Sequence, residues 1–338
     1  MKYRVFGRTG VRLAQIALGT ANFGQRWGHG ADEADSAAIF DAYAEAGGNF
    51  IDTADIYQFG QSEEILGGLL AGRREAFFLA SKFSNGAQPG AGRLVTGNSR
   101  QAMVASVEAS LRRLKTDRID LYWVHHPDGL TPAEEILRGL DDLARAGKIL
   151  YAGLSNFPAW RLARAATLAE LGRSLPIAAA QFEYSLVRRE PEADLIPASQ
   201  ALGLAQVTWS PLGGGMLTGK YRRGERGRAE GLGGKVFQAE DSPQRVAVLD
   251  TVLAIAGELQ ATPDQVAIAW VGSRGVFPLI GPRSQAQLAS NLGAAGLELS
   301  AEQLARLDAA SAPAGAAGTA PAVGLDLSAT GIPSTPVA

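Results

Sequence analysis

The 338-residue chain contains no cysteine. Disulfides, thiol chemistry and thiolate metal sites are therefore excluded, a composition that fits the cytosol. It also lacks any apolar run close to the ~20 residues needed to span a bilayer. Met1-Lys2-Tyr3-Arg4 leads straight into sequence with the pattern of a folded domain, so no signal peptide is expected. Charge of one sign is missing too. The 32 Lys and Arg nearly balance the 34 Asp and Glu, leaving a formal net charge of −2 spread along the chain. Such a surface argues against nucleic-acid binding. The expectation is a cytoplasmic protein acting on a small molecule, with no membrane or nucleic-acid partner and an open oligomeric state.

What is present is a repeating pattern. A hydrophobic content of 46% supplies a sizeable core, and the length suits two average domains or one α/β barrel. Tyr3 and Val5, the turn Gly7-Arg8-Thr9-Gly10, then Val11 and Leu13 predict a β-hairpin. Strands follow at Gln15–Gly19, up to Asp52, and at Phe77–Ala80, Ile119–Val124, Ile149–Leu154, Pro176–Ala180, Ala205–Trp209 and Val276–Ile280. Between them helical spacing runs over Ala31–Ala46, from a Ser62 cap, and over Ser99–Lys115, Ala133–Ala146, Pro158–Leu171 and Ala193–Leu202. Helices Pro243–Gln260 and Pro263–Ser273 precede the last strand, and Ser284–Gly293 and Ser300–Ala310 follow it. Residues 217–241, polar and rich in glycine and arginine, read as a loop. The tail 311–338, of Ala, Gly and Pro, reads as loosely ordered. Repeated β/α units predict an α/β fold, a (β/α)8 TIM barrel over 1–310 with an N-terminal β-hairpin and extra C-terminal helices. An open dinucleotide-binding sheet would carry G-x-G-x-x-G after its first strand, and Gly19-Thr20-Ala21-Asn22-Phe23-Gly24 does not match.

The stretch Asn49–Tyr57 turns from strand into Asp52, Asp55 and Tyr57 within six residues. Polar groups at a buried strand end are costly unless paired or used. Other strands do the same, ending in Lys82, His125, Ser155-Asn156, Gln181 and Arg283. In a barrel those ends share the face where active sites sit. A tyrosine beside a lysine ammonium yields its proton more readily, and the lysine in turn wants a carboxylate. Asp52, Tyr57, Lys82 and His125 therefore read as a proton-donating unit suited to an oxyanion formed from a carbonyl. No metal-ligand set emerges, since a strand turns neighbours such as His125 and His126 to opposite faces.

The segments FIDTADIY with Tyr57, SKF with Lys82, IDLYWVHHPD with His125, AGLSNF, AQFEYSL, TWSPLGGGMLTGKY and LIGPRSQAQLASNL occur in that order. Across residues 3–310 the chain resembles the aldo-keto reductases, in the branch of bacterial aryl-alcohol dehydrogenases and channel β-subunit-like proteins. The resemblance implies a barrel closed below by the hairpin, with NADPH (NADH being possible) extended over its top. It implies hydride transfer to an aldehyde or ketone, or back from an alcohol, with Tyr57 as general acid. Asp52 and Lys82 would tune Tyr57, and His125 would orient the carbonyl. Gly19 and Thr20 join the implied cofactor-binding set. Ser155, Asn156 and Gln181 match positions that bind the carboxamide, and Trp209 matches the aromatic that stacks on the nicotinamide. Ser210, Pro211, Leu212, Gly214 and Leu217 match the pyrophosphate contacts, and Gly281, Arg283, Gln287 and Asn291 the adenosine end. Gln287 and Asn291, four apart, share a helix face. Arg283 offers a planar fork for a 2′-phosphate, which favours NADPH.

The chain also departs from the family pattern. Many relatives have tyrosine at the Trp209 position, some have lysine at Gly281, and several have tryptophan at His126. Phe23, Trp27, Phe59 and His126 are expected to line the substrate pocket, while Trp123 either joins them or packs inside the barrel. An aromatic wall suits aryl or terpenoid carbonyls. Gly214–Lys220, GGMLTGK, fits the start of a P-loop, but Tyr221 replaces the required Ser or Thr and no helical pattern follows. Two other classes remain open. A cofactor-binding sensor or regulatory subunit would not need the complete Asp52, Tyr57, Lys82 and His125 set. A Schiff-base lyase using Lys82 would be trapped by borohydride.

Overall fold

The computed structural model describes residues 1–222 and 238–313. The hairpin pairs β1 (Tyr3–Val5) with β2 (Arg12–Ala14), Tyr3 opposite Ala14. Eight parallel strands then close into a barrel: β3 (Ala17–Gly19), β4 (Phe50–Asp52), β5 (Phe78–Phe83), β6 (Ile119–Val124), β7 (Ile149–Ser155), β8 (Ile177–Glu183), β9 (Ala205–Trp209) and β10 (Phe277–Ile280). β10 hydrogen-bonds to both β9 and β3, which closes the cylinder and leaves no open edge. The expected (β/α)8 barrel with its hairpin is therefore the fold. Strand β8 runs further than the expected Pro176–Ala180 and takes Gln181 and Glu183 into the sheet.

Helices α1 (Glu33–Glu45), α2 (Gln61–Leu69), α3 (Arg100–Leu114), α4 (Ala133–Arg145), α5 (Ala159–Leu171) and α6 (Leu195–Ala201) connect successive strands. The α7 (Pro243–Leu259) and α8 (Pro263–Ser273) pair leads to β10, and α9 (Gln285–Gly293) and α10 (Ala301–Ser311) follow it. Side-chain caps start several of them: Asp32 accepts from the Asp35 amide, Ser99 from Ala102 and Ser284 from Gln287. Ser62 is not the cap of α2. The chain leaves Tyr57 through left-handed residues, so α2 begins at Gln61 after Gly60. The Ser62 hydroxyl is turned inward instead, donating to the Thr20 carbonyl at 2.8 Å and lying 3.1 Å from the Thr53 hydroxyl. Of the expected 217–241 loop, Leu217 and Thr218 end the 3-10 turn Gly213–Thr218, and residues 223–237 lie outside the described residues. Helix α10 takes in Ser311, and the tail from 314 lies outside them as well. No single helix among the described residues is long and apolar enough to cross a membrane.

Two apolar layers organise the molecule. One fills the space between strands and helices. The other lies inside the barrel and contains Phe6, Leu13, Ala17, Phe50, Ala80, Leu121, Trp123, Ala179, Ala205, Val207, Phe277 and Leu279. Phe6 plugs the bottom, its ring 5.6–5.7 Å from those of Phe50, Phe78 and Phe277. Side chains alternate along a strand, so the residue two beyond an inward apolar one also points inward, one layer higher. That rule carries Phe50 to Asp52, Ala80 to Lys82, Trp123 to His125, Gly153 to Ser155, Ala179 to Gln181 and Val207 to Trp209. The polar groups thus form the layer above an apolar interior.

Candidate active site

Asp52 sits in register with Ala80, and Lys82 with Trp123. Asp52 and Lys82 are both fully buried, and the Lys82 ammonium donates to Asp52 Oδ1. Lys82 Nζ also donates to the Thr53 carbonyl at 2.9 Å and to the Tyr57 hydroxyl at 3.1 Å, and it lies 4.8 Å from the Tyr57 ring centre. Burial lowers the lysine's hold on its proton, but the Asp52 carboxylate, the Tyr57 oxygen and the hydrogen bonds to both outweigh it, so its pKa is raised and it stays an ammonium. Asp52 Oδ2 accepts from Trp123 Nε1 and from Gln181 Nε2, each at 3.0 Å. This carboxylate therefore has every side answered, as a buried charge must.

Trp123 resolves into barrel packing with a polar duty. Its ring fills the interior directly below the polar layer, and its indole N–H holds Asp52. A Cβ on Gly153, on the neighbouring strand, would stand 2.3 Å from that ring. Glycine is what admits the tryptophan.

His125 is buried, and burial, Lys82 and His126 hold its pKa well below the usual histidine range, so it is neutral. The Asn85 amide nitrogen lies 3.4 Å from His125 Nδ1, a contact that matches the tautomer with Nδ1 as acceptor and the proton on Nε2. The His125 and Tyr57 rings meet edge to face, 5.9 Å apart. His125 and His126 are not turned to opposite faces. Strand β6 ends at Val124, and beyond it the two rings stack at 4.4 Å and 12°. The pKa of His126 is likewise lowered, by burial and by Lys82.

A cavity of about 550 Å³ opens above this layer. Its walls include Tyr57, His125, His126, Asn156, Gln181 and Trp27, together with Gly281, Arg283, Gln287 and Asn291. Gly19, Trp209, Ser210, Pro211, Leu212 and Gly214 line it as well. Three consecutive glycines, Gly213–Gly215, have φ of 55°, 64° and 95°, a left-handed run only glycine enters freely. Thr218 and Lys220, which follow it and were weighed from sequence only as part of a rejected P-loop, also line the wall. Asn22 and Asp264 were missed as well. Asn22 Nδ2 donates to the Gly281 carbonyl at 2.7 Å, while its buried Oδ1 has no hydrogen-bond partner among the described residues. Asp264 Oδ2 accepts from Asn291 at 2.7 Å and Ser290 at 2.8 Å.

Several expected site residues are held by the protein itself. Asn156, at φ 61°, donates to the His125 carbonyl and accepts from Trp209 Nε1 at 3.1 Å. Gln287 Oε1 accepts from the Arg283 amide at 2.9 Å. The Arg283 guanidinium has no hydrogen bond or ion pair among the described residues and lines the cavity. Others lie off the cavity wall. Phe23 is buried in the layer between barrel and helices. Phe59 meets Trp27 edge-on at 6.2 Å. Thr20, Ser155 and Leu217 are wholly buried, and the Thr20 hydroxyl donates to the Asp52 carbonyl at 3.3 Å.

Behind Tyr57 lies a second set of buried polar groups. Glu63 accepts from the Ser81 hydroxyl at 2.5 Å and pairs with Arg113 at 2.7 Å. Among the described residues neither carboxyl oxygen of Asp55 has a partner at full hydrogen-bond geometry. Burial first and the charge of Glu63 second push its pKa up to about 7. Arg113 and the nearby amides of Ile56 and Gly86 oppose this only in part.

Comparison with known proteins places this geometry in context. A family model described as the aldo/keto reductase family matches residues 15–312. The chain is 36% identical to an uncharacterized oxidoreductase of Bacillus subtilis, covering 91% of this chain and 95% of that one. It is 34% identical to the norsolorinic acid reductase of Aspergillus flavus, covering 88% and 78%. It is also 34% identical to the aryl-alcohol dehydrogenase (NADP(+)) of Phanerodontia chrysosporium, covering 87% and 82%.

Proposed function

The chain belongs to the aldo/keto reductase family, and from that premise we propose that it is an NADPH-dependent oxidoreductase with Tyr57 as its general acid. It reduces aldehydes or ketones to alcohols, or runs the reverse. The observation that carries this reading is the buried line from Asp52 through Lys82 to the Tyr57 hydroxyl, which ends at the cavity beside a neutral His125.

Each residue then has a task. Tyr57 gives its proton to the oxygen that gains charge as the carbonyl is reduced. The Lys82 ammonium, 3.1 Å away, stabilises the negative charge this leaves on the phenol oxygen. Asp52 keeps that ammonium in place, and Trp123 and Gln181 hold Asp52. His125 offers its Nε2 proton to the carbonyl oxygen, and as an uncharged donor it orients without competing for the proton. When bound, the nicotinamide supplies or accepts the hydride.

The donor set suits such a cofactor. The cavity is lined both by Tyr57 and by Arg283, and among the described residues neither the Arg283 guanidinium nor the buried Asn22 Oδ1 at the wall has a hydrogen-bond partner. Gly19, Asn156, Gln181, Trp209, Ser210, Pro211, Leu212 and Gly214 would hold the nicotinamide and pyrophosphate, and Gly281, Arg283, Gln287 and Asn291 the adenosine end. Thr20, Ser155 and Leu217 would act through the backbone they anchor. Trp27, Tyr57, Trp209 and the two histidines give the cavity an aromatic wall. With relatives named aryl-alcohol dehydrogenases, that wall favours aryl carbonyls.

The test is absorbance at the reduced-nicotinamide band, with NADPH and NADH, over a panel of aryl and aliphatic aldehydes. Consumption of NADPH with the aryl members supports the reading. Tight cofactor binding without turnover of any carbonyl or alcohol would instead favour a sensor.

A further inference from the structure

We propose that Gln58 sets the enzyme's preference for ring-bearing carbonyl substrates, by clamping the loop between β3 and α1 so that Trp27 stands as a wall beside Tyr57. The proposal rests on the reductase reading above.

The starting point is a backbone anomaly. Immediately after Tyr57, Gln58 (φ 52°, ψ 34°) and Phe59 (φ 53°, ψ 47°) both occupy the left-handed region, and neither is glycine. Such residues are strained and persist only where the surroundings over-determine them. For Gln58 the determinant is its side chain. It is fully buried, and its amide meets three partners, all on one loop. Oε1 accepts from the Trp27 amide at 2.8 Å, while Nε2 donates to the Ala21 and His29 carbonyls, each at 3.1 Å. The left-handed turn is what aims the side chain away from the barrel and under residues 21–29.

The loop has no regular structure of its own to stiffen it, apart from the single bridge of Phe23 to Ala31. A second glutamine assists: Gln61 Oε1 accepts from the Gln25 and Arg26 amides at 2.9 and 3.1 Å. Gln58 is the one tied to Trp27 itself. Trp27 in turn meets the Tyr57 ring edge-on, 6.1 Å between centres at 82°, and lines the cavity next to His125 and His126. The indole therefore borders the space where the substituent of a carbonyl held at Tyr57 must lie. A ring there gains an edge or stacking contact that a short alkyl chain does not. Gln58 is buried behind the cavity wall and does not line it, so it is a positioning residue.

The experiment compares wild type with Gln58→Gly, using NADPH at saturation and measuring kcat and KM for benzaldehyde and for propanal. Glycine adopts the left-handed backbone without strain, so this variant removes the clamp and not the turn. The ratio of kcat/KM for benzaldehyde over propanal is expected to fall about two- to tenfold, the size of one lost aromatic contact. Most of the fall should lie in KM for benzaldehyde. Trp27→Ala should reproduce it, with no further loss when the two changes are combined. Should the glycine variant fail to fold, Gln58→Met, of similar length without the amide, reads the same ratio. An unchanged ratio in the Gln58 variants beside a reduced one in Trp27→Ala overturns the proposal. So does an equal loss for both aldehydes, which would make Gln58 a support for Tyr57 alone. If wild type reduces neither aldehyde, the reductase reading itself fails and the proposal falls with it.

Discussion

Replacing Asp55 by asparagine keeps the shape of the side chain and removes its proton equilibrium. In the folded protein this carboxyl is buried, has no partner at full hydrogen-bond geometry among the described residues and lies close enough to Glu63 to feel its charge, so its pKa rises from the ordinary 3.8 to about 7. Below about pH 4 both folded and unfolded chains hold the proton, and the group costs nothing by this route. Between about pH 4 and 7 the unfolded chain has lost the proton while the folded one retains it, so stability falls as pH rises. Above about 7 both are ionised and the loss levels off. At ~1.4 kcal/mol for each tenfold change in proton affinity, the whole loss is about 4 kcal/mol, of which about 2–3 kcal/mol accrues between pH 5 and 8. Asparagine pays none of it. Urea denaturation of wild type and Asp55→Asn at pH 5 and pH 8 should therefore show the difference moving in favour of the variant by about 2–3 kcal/mol at the higher pH. A difference independent of pH would refute the reasoning, because it would mean that Asp55 is already ionised in the folded state at pH 5.

Gly153→Ala would bring a methyl to 2.3 Å from the Trp123 ring. It should destabilise by about 1–3 kcal/mol, seen as a lower denaturation midpoint, and lower kcat by loosening the indole from Asp52. Arg283→Gln should weaken NADPH binding by about tenfold or more while changing NADH binding little, since only the 2′-phosphate needs the planar fork. Titration of each cofactor by fluorescence measures both, and an equal loss for the two would remove Arg283 from phosphate recognition.

The barrel was legible because its two periodicities are uncompromised: alternation of two within strands, helical spacing between them, and a polar residue at strand end after strand end. The convergence of Asp52, Lys82 and His125 follows from that pattern and a closed sheet. Contacts set by register or by unusual backbone were not legible. Trp123 shares its strand face with His125, but only the alignment of β4, β5 and β6 shows its indole reaching Asp52. The stacking of His125 on His126 requires knowing that β6 stops at Val124. Ser62 read as a cap because Ser before a glutamate pair usually is one, and the left-handed exit at Gln58 and Phe59 moved the helix start before it. Phe23 read as pocket because it follows a strand end, yet the turn after Thr20 sends it into the helical layer.

The central claim is that Tyr57 is the acid, made effective by Lys82. The most direct measurement is turnover by wild type and Tyr57→Phe with NADPH and an aryl aldehyde, alongside cofactor binding by fluorescence. Loss of the hydroxyl should lower kcat by about 10²–10⁴-fold, with the cofactor dissociation constant unchanged within about twofold, because the phenylalanine ring keeps its place against Trp27 and His125. A Tyr57→Phe enzyme with turnover near that of wild type would contradict the account.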